Sequence, residues 1–102
     1  MTQRQRTAHR GPQHIRQTIA AFLKAAGLKE RFDENMAIAF WDSTVGETIA
    51  KFTEPRKVEK GMLMVKVTDN AWRTELMFHK FRIIKELNEK VGKAAIKDIK
   101  FY

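Results

Sequence analysis

Between Gly61 and Val91 the hydrophobic period changes once, from two to about 3.6. That change commits the segment to a strand that feeds a helix. Leu63, Val65 and Val67 alternate with Met64, Lys66 and Thr68, so one set of side chains faces a core. Thr68-Asp69-Asn70 ends the strand, and Asp or Asn at that place accepts a hydrogen bond from the first free N–H groups of a helix. From Ala71 onward, Trp72, Leu76, Ile83, Leu87 and Val91 fall within about a third of the helix circumference. A two-layer α/β unit results, and the other segments are additions to it.

Gln13 to Ala26 reads as a first helix, with Ile15, Ile19, Phe22, Leu23 and Ala26 on one stripe. Arg16 and Lys24 lie off that stripe, and Gly27 sits where a helix C-cap is wanted. A second helix is expected from Asp33 as N-cap, through Ile38, Trp41, Val45, Ile49 and Phe52. Gly46 interrupts it at some cost, a cost close packing against a neighbour would explain. Pro55 ends it. Arg56 to Glu59 then forms a short strand, joined as a hairpin to the central strand through Lys60-Gly61. Beyond Gly92, Ile96 to Tyr102 makes the last strand, in which Ile99 and Phe101 alternate with Lys100 and Tyr102. The order is α-α-β-β-α-β over residues 13–102, an α+β domain with helices on one face of a three-stranded sheet.

Charge sets the class of partner. Seven basic side chains (Arg4, Arg6, Arg10, Arg16, Lys24, Lys29, Arg31) stand against Glu30 in residues 1–31, which hold +6 of the net charge of +8. Residues 1–12 contain Ala8 as their one aliphatic side chain beyond Met1, so they are expected to be a disordered basic arm when free. An arm of this kind attracts a polyanion, and nucleic acid is the expected one; the alternative is a tail that only keeps the protein dispersed. Arg4, Arg6, Arg10 and Arg16 are the expected backbone-phosphate contacts, with Lys24, Lys57, Lys60 and Lys66 as weaker ones. Tyr102, and after it Phe78, are candidates for stacking on unpaired bases.

Protein contacts have candidates of their own. If Leu63, Val65, Val67, Ile99 and Phe101 face the helices, then Met62, Met64, Lys66, Lys100 and Tyr102 face away. Flexible methionines beside lysines and one tyrosine suit a partner surface; the alternative is a partly apolar sheet face that forms a homodimer or simply meets water. Phe78 and Phe81 fall opposite the Trp72–Leu87 stripe, either packed under the first helix or offered to a partner. Trp41 and Trp72 are expected in the core.

Catalytic chemistry is not expected. There is no cysteine, and Ser43 is the single serine, with no nucleophile elbow around it. His9, His14 and His79 are scattered: the first two sit in or beside the arm, and His79 reads as a packed or hydrogen-bonded residue. Five isolated glycines make neither a phosphate loop nor a dinucleotide fingerprint. No metal and no cofactor are expected. No apolar run approaches the ~20 residues of a membrane span, and the N-terminus lacks the apolar region of a signal peptide, so the cytoplasm is the expected place.

One ordered set of residues also resembles a known family. The run Trp41-x-x-x-Val45-Gly46-x-x-Ile49-Ala50 is followed by Pro55, Gly61-x-Leu63-x-Val65-x-Val67 and Trp72-x-x-Glu75-Leu76. Ile83-Ile84-x-x-Leu87-Asn88, Gly92 and Ile96-x-x-Ile99-x-Phe101 complete it. Together they resemble the bacterial DciA family, whose members are implicated in loading or operating the replicative DNA helicase. The resemblance implies a KH-like domain, DNA binding at the nucleoid and contact with the helicase, without catalysis. No Gly-x-x-Gly occurs in the chain, so binding in the manner of a true KH domain is not expected. The expected function is a non-enzymatic DNA-binding accessory protein of replication. The alternatives are a protein-interaction module with an incidental basic tail, or an RNA-binding KH-like protein.

Overall fold

Helices precede the first strand pair, and a last helical pair connects it to the third strand. In the computed structural model the elements are α1 (Thr2–Ala25), α2 (Lys29–Ala39), α3 (Trp41–Val45), α4 (Glu47–Ala50), β1 (Thr53–Glu59), β2 (Met62–Val67), α5 (Asn70–Phe78), α6 (Lys80–Val91) and β3 (Asp98–Phe101). The structure describes the backbone of residues 2–102 and the side chains of residues 14–102. The α+β class and the element order match the expectation. The chain divides into two units, residues 1–32 and 33–102.

In the first unit the helix expected from Gln13 begins instead at Thr2. The side chains of residues 1–13 lie outside the described residues, and with them the phosphate contacts expected of the arm at 1–12. Gly27 closes the helix as expected. Leu28 N–H donates to the Leu23 carbonyl at 2.8 Å and Gly27 N–H to that of Lys24 at 3.1 Å, the paired bonds of a Schellman cap. The stripe of Ile15, Ile19 and Phe22 stands exposed, at 59%, 46% and 65%.

The second unit holds the sheet. Its strand order is β1-β2-β3, with β1 antiparallel and β3 parallel to β2. A parallel neighbour needs a crossover, and α5 and α6 supply it. Asp69 caps α5 as its sequence position suggested, its carboxylate accepting from Trp72 N–H at 2.9 Å. The core gathers Ala37, Trp41, Leu63, Val65, Val67, Leu76, Ile83, Leu87, Ile96 and Ile99. The Trp41 indole N–H donates to the Thr53 hydroxyl at 2.8 Å, and that hydroxyl donates to the Ile49 carbonyl at 3.0 Å. No polar atom of that pair is left orphaned. The Asn88 amide donates to the Ile96 carbonyl and accepts from the Ile96 N–H, both at 2.9 Å. It thereby fixes the chain just before β3.

Three local expectations are corrected. Asp33 does not cap the second helix; it lies inside α2 and pairs with Lys93 Nζ at 2.9 Å. The Schellman turn at Gly27 launches α2 earlier, at Lys29. The single helix expected from Asp33 through Phe52 is instead α2, α3 and α4, and α3 and α4 are parted at Gly46, whose φ of +91° with ψ of 162° is open only to glycine. A Cβ there would meet nothing within 4 Å, so close packing is not the reason for it. The long helix breaks at His79, whose ring is hydrogen-bonded to Glu75 Oε1 at 3.2 Å.

Lys60 and Gly61 both have positive φ, at 53° and 81°, between the paired residues Glu59 and Met62. This is the two-residue hairpin turn whose twist suits the strands, and it strains a lysine. Lys60→Asn is expected to raise stability by about 0.5–1 kcal/mol, read as a higher urea midpoint with an unchanged slope.

Candidate nucleic-acid interface

The outer face of the sheet is built by register. Leu63, Val65 and Val67 are buried, so Met62, Met64 and Lys66 point the other way, the methionines half-buried and the lysine exposed. In β3, Ile99 is buried and Lys100 exposed. Val67 N–H donates to the Tyr102 carbonyl at 2.6 Å and Tyr102 N–H to that of Val65 at 3.0 Å. These bonds carry the parallel ladder one residue beyond β3 and set Tyr102 beside Lys66. Lys100 pairs with Met64, and Lys66 pairs on its other side with Glu54.

A bulge in β1 adds to this face. Pro55 pairs with Val65 and Val58 with Leu63, both inward positions, but two residues separate them. Lys57 takes the place opposite Met64 and Arg56 is the extra residue, so both side chains are exposed. Strict alternation from Val58 would have turned Arg56 toward the core. The Arg56 guanidinium lies 3.1 Å from Glu54 Oε1. The Tyr102 side chain first, and the Glu54 carboxylate next, hold its pKa above the ordinary arginine value. Lys57 Nζ lies 3.5 Å from Glu59, and Asp98 is held by Lys80 at 3.3 Å. Lys66 and Lys100 have no ion-pair partner among the described residues.

The expected contacts therefore divide. Lys57, Lys66, Met62, Met64 and Tyr102 meet on this one face, and Lys60 is exposed in the turn beside it. Arg16 and Lys24 are exposed on α1, in the first unit. Arg4, Arg6 and Arg10 lie outside the described side chains. Phe78 and Phe81 belong to the helical layer at the α5–α6 break. They are 79% and 83% exposed, and Met77 beside them is 58% exposed. Arg56 was missed as a candidate, because no sequence signal marks the bulge. Lys100 was legible from alternation alone.

Among the described residues no group of three His, Cys, Asp or Glu side chains is placed to hold a metal ion. No described helix is long and apolar enough to cross a membrane.

The sequence profile of the family described as Dna[CI] antecedent, DciA matches residues 14–101. A UPF0232 protein of Rhodococcus jostii is 29% identical over 91 residues, covering 89% of this chain and 48% of the relative. A UPF0232 protein of Mycobacterium tuberculosis is 26% identical over 91 residues, covering 89% and 49%. One from Mycolicibacterium smegmatis is also 26% identical over 91 residues, covering 89% and 47%. The chain thus spans about half the length of the curated relatives it matches.

Proposed function

Because the chain belongs to the DciA family, we propose that it is a non-enzymatic accessory protein of bacterial DNA replication, one that binds DNA and assists the replicative helicase. On this reading it works in the cytoplasm, at the nucleoid. The observation that supports DNA binding best is where the positive charge lies. Residues 1–31 carry +6 of the +8, and the sheet adds Arg56, Lys57, Lys66 and Lys100 on one exposed face. Such cations neutralise backbone phosphates and release counterions, which gives affinity without base preference.

A protein contact is favoured by a different observation, the exposure of Met77, Phe78 and Phe81. Aromatic side chains exposed to this degree are the kind that anchor interfaces once buried by a partner. The test is recovery of the helicase from a bacterial lysate on immobilised protein, after complete nuclease digestion. Helicase is expected to remain bound to the wild-type chain. The double variant Phe78→Ser, Phe81→Ser is expected to lose it while keeping its affinity for DNA oligonucleotides. If all helicase recovery disappears with nuclease, the two proteins meet only through nucleic acid and the direct contact is rejected.

A further inference from the structure

We infer that the outer face of the sheet is a contact for single-stranded DNA, in which Lys66 and Lys100 hold phosphates while Tyr102 and Met64 carry a base. The inference rests on the DNA-binding reading above and names the strand class and the residues.

Three features of the face lead there. Lys66 and Lys100 are exposed and unpaired among the described residues, on adjacent strands. Each stands beside a flat or polarisable apolar side chain, Lys66 beside Tyr102 and Lys100 beside Met64. Cations interleaved with stacking surface suit a polymer that alternates phosphates with bases. In a duplex the base faces are already stacked on one another, so only an unpaired strand offers them to a tyrosine. The third feature is Arg56, which the bulge turns outward onto the same face, beside Glu54. Glu54 already engages Arg56 at 3.1 Å, so the phosphates fall to the two lysines rather than to the arginine.

The probes are a labelled oligothymidylate, an abasic strand of the same length and a duplex, read by fluorescence anisotropy at fixed salt. Tyr102→Ala is expected to weaken the oligothymidylate about tenfold, the size of one lost base stack, and to leave the abasic strand and the duplex within about twofold. Tyr102→Phe keeps the ring and is expected to bind all three like the wild type. Lys66→Gln with Lys100→Gln is expected to lower the log–log salt slope on the single strand by about 1.4. The variants should fold, since Lys66, Lys100 and Tyr102 are exposed and the ladder bonds at Tyr102 use its backbone. An equal loss on oligothymidylate and abasic strand, or no loss on either, overturns the inference but leaves DNA binding intact. A wild-type chain that binds none of the probes removes the DNA-binding reading and this inference with it.

Discussion

Trp41→Ala is expected to cost the 33–102 unit about 3–5 kcal/mol, enough to abolish cooperative unfolding at physiological temperature. Trp41 is fully buried, and its ring lies 6.4 Å from that of Phe101, joining the α3 side of the core to β3. Truncation leaves a cavity in a unit of few layers, with nothing at hand to collapse into it. It also leaves the Thr53 hydroxyl without the indole donor it now accepts from. Thr53→Val separates the two effects, because it keeps the packing and strands the indole N–H, at a cost of about 1–3 kcal/mol. Trp72 stacks on Phe52 at 5.9 Å but is only half-buried, so Trp72→Ala should cost less than Trp41→Ala. Urea unfolding followed by circular dichroism orders the three. A Trp41→Ala protein within about 1 kcal/mol of the wild type would show that the core does not depend on this residue.

Deleting residues 1–12 is expected to flatten the salt dependence of DNA binding more than any single substitution. The deletion removes Arg4, Arg6 and Arg10. Each phosphate contact contributes about 0.9 to the log–log slope on duplex and about 0.7 on a single strand, so three contacts amount to about 2.7 and about 2.1. Between low and physiological salt that difference compounds into a change in affinity of more than tenfold. The measurement is a titration of affinity against salt on single-stranded, forked and duplex probes. An unchanged slope would show that the arm touches no phosphate, and the sheet face and the remainder of α1, with Arg16 and Lys24, would then have to supply the charge. The same titration applied to Lys60→Asn asks whether the turn lysine is a contact, through a slope lower by roughly 0.7–0.9.

What could be read from the sequence was what local rules govern. The strand at Leu63–Val67, the cap at Asp69, the turn at Lys60-Gly61 and the helix ends at Gly27 and Gly92 each follow from a few adjacent residues. What escaped depended on partners across the fold. An extra residue in β1 cannot be seen in Pro55-Arg56-Lys57-Val58, because only the register against Met64 reveals it. The break at His79 has no marker in the helical periodicity, which runs on from Trp72 to Val91. Asp33 has the residue type of an N-cap, but Lys93, sixty positions later, decides its role. The exposure of Phe78 and Phe81 was likewise unreadable, since a helix face does not state what covers it. At the candidate interface, Lys66, Lys100 and Tyr102 followed from alternation and Arg56 did not.

The irregular first strand also bears on how the molecule behaves at high concentration. A three-stranded sheet has two open borders, and an open border invites a neighbouring chain to dock along its backbone. Pro55 removes one donor from that border, the Arg56 kink throws the rest out of line, and Glu54, Lys57 and Glu59 charge it. The opposite border is only four residues long. The distortion that aims an arginine outward is therefore also a guard against fibres, and straightening it by deleting Arg56 would leave a stickier rim.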